Sequence, residues 1–298
     1  MLHILGTMTA WLAAATEEAG NELTAVKAAV LGVVEGLSEF LPISSTGHLI
    51  VTQHLLDVGQ TSKTKDAADT YTIVIQAGAI LAVLLLYWRR VVEMLRGAVG
   101  RDHEGRALLT NIVIAFIPAA IVGVLLEQPI RDQLFGTWPV IVAWIVGGVV
   151  ILFFARRLQE RGVTSGAAIE TLTMRGAVII GAAQVVALWP GTSRSLVTIL
   201  AGLAIGLSVP AAVEFSFLLG LVTLSAATVY DLLKHGSELF DTFGVVNPVI
   251  GFVCAFAAAF IAVKWMVAFL EHRGLDIFGW YRIGVGVLAL VLLATGVL

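Results

Sequence analysis

Charge is what this chain has little of. Only 13% of its residues are Asp, Glu, Lys or Arg, about half the share of soluble domains. With 58% hydrophobic residues and a mean hydropathy of +0.95, the chain has too little polar surface to face water all round. The alternating segments of about 10 residues that build a membrane β-barrel are absent. A net charge of −3 gives nucleic acid no electrostatic footing. The single cysteine, Cys254, lies in the apolar run Phe252 to Val263. It has no disulfide partner within the chain, builds no metal site and is read as a helix-packing residue. The first 26 residues hold no Lys or Arg, so the basic start of a secretory signal is missing. Residues 1–22 are expected to be a surface extension, and 23–298 a single membrane domain.

What is present is a series of long apolar runs. About 20 apolar residues cross a bilayer as a helix. Six segments are good candidates: Thr70–Trp88, Ala107–Leu126, Trp138–Phe154, Ala211–Leu233, Pro248–Leu270 and Ile283–Leu298. Trp88, Trp138 and Trp280 fall near segment ends, as interfacial aromatics do. Two further stretches, Leu23–Leu56 and Arg175–Leu207, are too long for one crossing and too short for two. Each is broken at its centre by a polar cluster, Pro42-Ile43-Ser44-Ser45-Thr46-Gly47-His48 and Pro190-Gly191-Thr192-Ser193-Arg194-Ser195. A re-entrant helix-loop-helix hairpin fits both.

The two hairpins resemble each other. Phe40-Leu41-Pro42-Ile43-Ser44-Ser45 aligns with Leu188-Trp189-Pro190-Gly191-Thr192-Ser193 at an offset of 148, and Leu31 to Glu35 aligns with Ile180 to Gln184 at 149. Three spans separate them, an odd number, so the second enters from the opposite side. The expected fold is an all-α integral membrane protein of six transmembrane helices plus two re-entrant hairpins in an inverted-topology repeat. Repeat one covers about 23–126 and repeat two about 175–270. Such folds place their site where the broken helices meet. The Lys and Arg distribution favours one orientation only weakly.

The candidate chemistry lies at the breaks. Glu35 and Glu39 are four apart and share a helix face, and a divalent metal or an arginine between them would relieve their repulsion. A structural pairing with Arg194 or Lys27 is the plainer reading. Ser44, Ser45 and Thr46 stand where a second helix begins, suited both to capping it and to binding phosphate at its N-terminus. Thr192 and Ser193 repeat that arrangement. Arg194 needs an anionic partner and can clamp phosphate. His48 can be read as a general acid, a nucleophile or a capping histidine. Glu214 is expected to pair with Arg194 or the second loop. Together these groups suit a phosphoryl group on a substrate whose tail lies in the bilayer.

The stretch Glu35-Gly36-Leu37-Ser38-Glu39-Phe40-Leu41-Pro42-Ile43-Ser44-Ser45-Thr46-Gly47-His48 resembles the first signature of the undecaprenyl-pyrophosphate phosphatases, the bacitracin-resistance family. Leu188-Trp189-Pro190-Gly191-Thr192-Ser193-Arg194-Ser195, with Thr198, resembles the second. Val74 to Gly78, Glu214 to Leu219 and Trp280-Tyr281-Arg282 are also similar. The resemblance runs from about Ala25 to the C-terminus. It implies a multi-pass enzyme of the bacterial inner membrane that removes the terminal phosphate of undecaprenyl pyrophosphate. That reaction regenerates the lipid carrier for peptidoglycan synthesis and confers bacitracin resistance. It also implies a divalent cation, Mg²⁺ or Ca²⁺, with Glu35 and Glu39 serving the metal or acid–base chemistry and Arg194 the pyrophosphate. Ser45 is the implied nucleophile, helped by His48 or Glu39, and a nucleophilic His48 stays open. Ser44, Thr46, Gly191, Thr192, Ser193, Ser195 and Thr198 are the implied substrate-binding set. Membrane lipids are the expected surroundings, and a homodimer is compatible with small-residue faces such as Gly147-Gly148. A transporter or flippase of lipid-linked phosphates is the alternative, because broken helices in repeats also build transporters. A scaffold using these polar groups only as interhelical glue is the third.

Overall fold

A computed structural model of the chain describes residues 22–59, 61, 64–161, 166–270 and 272–298. Nearly all of the expected N-terminal extension lies outside the described residues. The described chain is α-helical, with a single β-bridge between Ala167 and Leu207. Its helices are α1 (Ala25–Ser38), α2 (Ser45–Leu55), α3 (Lys65–Leu86), α4 (Trp88–Ala98), α5 (His103–Leu125), α6 (Glu127–Leu134) and α7 (Thr137–Arg161). Then come α8 (Met174–Gln184), α9 (Arg194–Ala204), α10 (Val209–Phe243), α11 (Val246–Leu270) and α12 (Asp276–Ala294).

Six of these, α3, α5, α7, α10, α11 and α12, are long and apolar enough to cross a membrane. They are the six segments expected from the apolar runs, so the protein is a multi-pass membrane protein. The short helices α4 and α6 were not foreseen, since neither has the length nor the apolar content of a span. Their boundaries follow local chemistry. Asp102 caps α5, its Oδ1 accepting from the Gly105 N–H at 2.8 Å, and Thr173 caps α8 through the Gly176 N–H at 3.2 Å.

Both polar clusters form a helix, a break and a second helix: α1 then α2, and α8, a 3₁₀ turn (Val185–Leu188), then α9. The breaks share one backbone solution. Ser44 (φ 74°) and Ser193 (φ 77°) are both held in the left-handed half of conformational space. Each caps the helix that follows, Ser44 Oγ accepting from Gly47 N–H (3.4 Å) and Ser193 Oγ from Leu196 N–H (3.3 Å). This equivalence is at an offset of 149, one residue from the alignment expected through the prolines and equal to that of the upstream helices. The cap geometry, rather than the proline, is what the two breaks have in common.

Each broken helix packs on a span from the other half of the chain. Helix α1 lies along α11, where Gly32 meets the backbone of Gly251; an added methyl on Gly36 would sit 2.8 Å from Ala258 Cβ and Ala259 N. Helix α8 lies along α5, where Gly181 meets Ala115, 2.7 Å from an added Cβ to its Cα. Small residues let backbones approach this closely, which is how helices associate without a hydrophobic drive between them. Gly148 serves the same purpose within the chain, against Gly279 and Ile283 of α12. The Gly147-Gly148 face is thus occupied intramolecularly.

Candidate active site

The two breaks face each other across a cavity of about 230 Å³. Glu35, Glu39, Ser44, Ser45 and Thr46 line it from the first, and Gly191, Ser193 and Arg194 from the second. A polar wall of Gln53, Asp69, Thr72 and Gln76 stands in the same cavity, beside apolar groups that include Leu49, Phe135, Trp189 and Leu224.

Glu39 is the junction. Its Oε2 accepts a hydrogen bond from the Ser45 hydroxyl, and its Oε1 lies 3.4 Å from Arg194 Nη2. The Glu39 and Arg194 side chains are each only 9% exposed, so their attraction is screened little by water. Arg194 Nη1 donates to the Ser216 carbonyl at 2.7 Å, and its guanidinium lies 5.3 Å from the Phe40 ring centroid. Those contacts fix the fork from the side, while its buried Nε keeps no partner. Glu35, one turn before Glu39, is 2% exposed and its Oε2 is buried without a hydrogen bond. A buried carboxylate oxygen without a donor is costly, and a bound cation would satisfy it.

His48 is not brought to the cavity. Its Nδ1 sits 2.6 Å from the Ser44 carbonyl and must donate there, so in the neutral ring Nε2 accepts from the Tyr281 hydroxyl at 2.9 Å. Its ring stacks on Tyr281 and meets Trp144 edge-on. Ser195 and Thr198 are also turned away. Ser195 Oγ donates to the Leu41 carbonyl at 2.8 Å, tying break to break, and Thr198 Oγ1 bonds the Arg194 carbonyl and the Ser216 hydroxyl. Thr192 is half-buried beside the cavity rather than among its lining groups. Glu214 pairs with Arg90, not with Arg194 or the second loop: Arg90 Nε donates to Glu214 Oε1 at 2.6 Å and Nη2 to Glu170 at 2.8 Å. Glu214 turns to Arg90 of α4, while Arg194 meets α10 two residues further on, at the Ser216 carbonyl.

The polar wall escaped the sequence reading, though its spacing carried a signal. Asp69, Thr72 and Gln76 recur at three and four residues, one face of an otherwise apolar helix. Arg282 was noted only by resemblance; it is fully buried beneath both breaks.

The donor set fits a hard divalent cation of the kind the resemblance implies. Among the described residues no group of three or more His, Cys, Asp or Glu side chains stands ready for a metal. Mg²⁺, however, is commonly held by one or two carboxylates together with substrate phosphates. Glu35, with its unpartnered oxygen, and Glu39 are such a pair.

Residues 28–288 match the family model described as bacitracin resistance protein BacA. The chain is 45% identical over 264 residues to the undecaprenyl-diphosphatase of Sorangium cellulosum, covering 88% of this chain and 84% of that protein. It is 43% identical over 277 residues to that of Deinococcus deserti (92% and 97% covered). It is 45% identical over 271 residues to undecaprenyl-diphosphatase 2 of Rhodospirillum rubrum (91% and 94% covered). With the match spanning both breaks, five spans and most of the sixth, the chain belongs to the bacitracin resistance protein BacA family.

Proposed function

We propose that the protein hydrolyses undecaprenyl pyrophosphate to undecaprenyl phosphate and inorganic phosphate in the bacterial inner membrane. The observation that carries the chemistry is the line Ser45–Glu39–Arg194, which joins a hydroxyl, a base and a cation drawn from two separate breaks. Ser45 Oγ is the nucleophile. Its proton passes to Glu39 as the oxygen attacks the terminal phosphorus, and the lipid monophosphate leaves. Glu39 gives that proton to the departing lipid monophosphate; water then cleaves the phosphoserine, Glu39 taking the water proton and returning it to the Ser45 oxygen as free phosphate is released. Arg194 and the N-termini of α2 and α9 neutralise the pyrophosphate oxygens. Ser44, Thr46, Gly191 and Ser193 line that anion site, with Thr192 next to it. Ser195 and Thr198 hold its second loop.

Glu35 and Glu39 would hold the divalent cation, Mg²⁺ or Ca²⁺. When bound, it supplies further neutralisation of the phosphoryl charge. His48 acts as a positioning group, since its Nε2 faces Tyr281. The apolar groups at the cavity, Phe135, Trp189 and Leu224, suit the start of an isoprenoid tail reaching into the bilayer. The reciprocal packing of α1 on α11 and α8 on α5 supports the reading that the two hairpins are re-entrant and belong to an inverted repeat. A flippase would require no nucleophile hydrogen-bonded to a base, so the hydrolase is favoured.

The test is phosphate release from undecaprenyl pyrophosphate by the purified protein, with and without EDTA, beside Arg194→Ala. Chelator-sensitive release that is lost in the variant supports the proposal. Lipid flux in liposomes without phosphate release would overturn it.

A further inference from the structure

Behind the catalytic cavity, α12 sends a guanidinium between the two breaks. Arg282 is 0% exposed. Its Nη2 donates to the Gly191 carbonyl at 2.8 Å and to the Ala143 carbonyl at 2.8 Å, and its Nη1 to the Pro42 carbonyl at 3.3 Å. Pro42 stands three residues before Ser45, and Gly191 three residues before Arg194. One planar group therefore grips the same relative position in both breaks, while Ala143 anchors it to α7. Among the described residues no carboxylate lies within ion-pair distance of it, so its charge is met by carbonyl dipoles alone.

A buried cation without an anionic partner is expensive, and an apolar side chain of similar size would pack there at lower cost. The arrangement makes sense for what it holds. Ser45, on the first break, must face an anion clamped by Arg194, on the second. The hydrogen bonds between the breaks are otherwise the Ser193 and Ser195 hydroxyls on the Leu41 carbonyl and the long 3.4 Å contact of Arg194 with Glu39. We propose that Arg282 is a positioning residue for the hydrolysis, bracing the two breaks so that the nucleophile on one stays aligned with the anion clamp on the other.

The proposal rests on the phosphatase reading and adds a geometric requirement to it. Arg282 touches no substrate. Its loss leaves Arg194 and both helix N-termini able to bind pyrophosphate, but lets the two halves of the site drift. A misplacement of about 1 Å costs on the order of 100-fold in rate. Charge is not the requirement. A lysine ammonium keeps the charge but cannot present a planar fork to two separate loops. The space around the brace is equally specific, because Gly147 of α7 lies against it. An added methyl there would stand 2.8 Å from the guanidinium Cζ and 2.9 Å from Nε.

The experiment measures kcat and KM for phosphate release from undecaprenyl pyrophosphate by the wild type, Arg282→Lys, Arg282→Met and Gly147→Ala, each checked for monodispersity in detergent. The expected result is a fall in kcat of roughly 100-fold in both Arg282 variants, with KM changed less than about threefold. A kcat near wild type in Arg282→Lys, or a loss confined to KM, would overturn the brace. Should neither Arg282 variant fold, Gly147→Ala decides, since it keeps the arginine and only displaces it. A kcat-selective loss there supports the proposal, and full turnover overturns it. Wild-type protein without phosphate release would count against the phosphatase reading rather than against the brace.

Discussion

The rings of Tyr281 and His48 are stacked, with centroids 5.7 Å apart and planes 14° from parallel, and the Tyr281 hydroxyl meets His48 Nε2 at 2.9 Å. With Nδ1 on the Ser44 carbonyl and Nε2 on the Tyr281 hydroxyl, both ring nitrogens are occupied and neither is free for phosphorus. His48→Ala should therefore lower phosphate release by about tenfold, the worth of a hydrogen bond or so, rather than abolish it. Tyr281→Phe should cost less. A loss of three orders of magnitude in His48→Ala, or a trapped phosphohistidine, would return the nucleophile to this ring.

Ser45 and Glu39 behave as a nucleophile and its base. Glu39→Gln should lower kcat by roughly 10²–10⁴. Ser45→Ala should leave no turnover above background, with thermal stability close to wild type in both variants. Turnover by Ser45→Ala at a tenth of wild type or better would mean that another group attacks.

The approach of α1 to α11 leaves no room at Gly36. Gly36→Ala places a methyl against Ala258 and Ala259 and should destabilise the protein by about 1–3 kcal/mol. Gly123→Ala is the control, because its nearest neighbour beyond α5 is Leu188 Cδ2 at 3.7 Å. Thermal unfolding in one detergent should separate the two, and equal melting temperatures would refute the tight contact.

Far from the cavity, Arg90 joins α4, the turn Ile169–Thr171 and α10 through Glu93, Glu170 and Glu214. The hydrogen bond from its own backbone N–H holds the Glu170 carboxyl below the usual carboxylate range; burial opposes it, and Arg90 adds to it. A depressed acid stabilises the fold above its unfolded value of about 4.3, and that contribution is lost as pH falls through the folded value. The melting temperature of the wild type should thus drop on acidification below about pH 4, and Glu170→Gln should show a shallower drop. Identical acid profiles would show that Glu170 contributes nothing.

The sequence was most legible where length and hydropathy alone decide. An apolar run of about 20 residues has one solution in a bilayer, and all six expected spans overlap helices of the structure within a few residues at most ends. Helices α4 and α6 fall below that length and gave no such signal. The breaks were legible as interruptions, because Pro and hydroxyl residues inside apolar stretches need a reason. Which way a side chain turns at a break was not. His48 is one turn into α2 and could have faced the cavity; the positive φ at Ser44 sets the rotation of that helix and points the ring at α12. That Glu214 meets Arg90 rather than Arg194 was not legible, because the partner is 124 residues away in sequence. The burial of Arg282 was not legible because it stands just before the apolar run at Ile283, whereas the helix that buries it begins seven residues before that run, at Asp276.

The reciprocal packing of the two halves has a consequence in time. Asn247 at the start of α11 donates to the Leu23 carbonyl just before α1, at 2.6 Å and across 224 residues of chain. Until α11 is made, the helix that carries Glu35 and ends at Glu39 has only its contacts with α2 and α3, such as the Tyr71 hydroxyl on the Ala28 carbonyl, and lacks its main packing surface. At ribosomal speeds the interval is on the order of ten to forty seconds. Through that interval two carboxylates wait at a helix with most of its packing still to come, and the catalytic centre is among the last features of the protein to form.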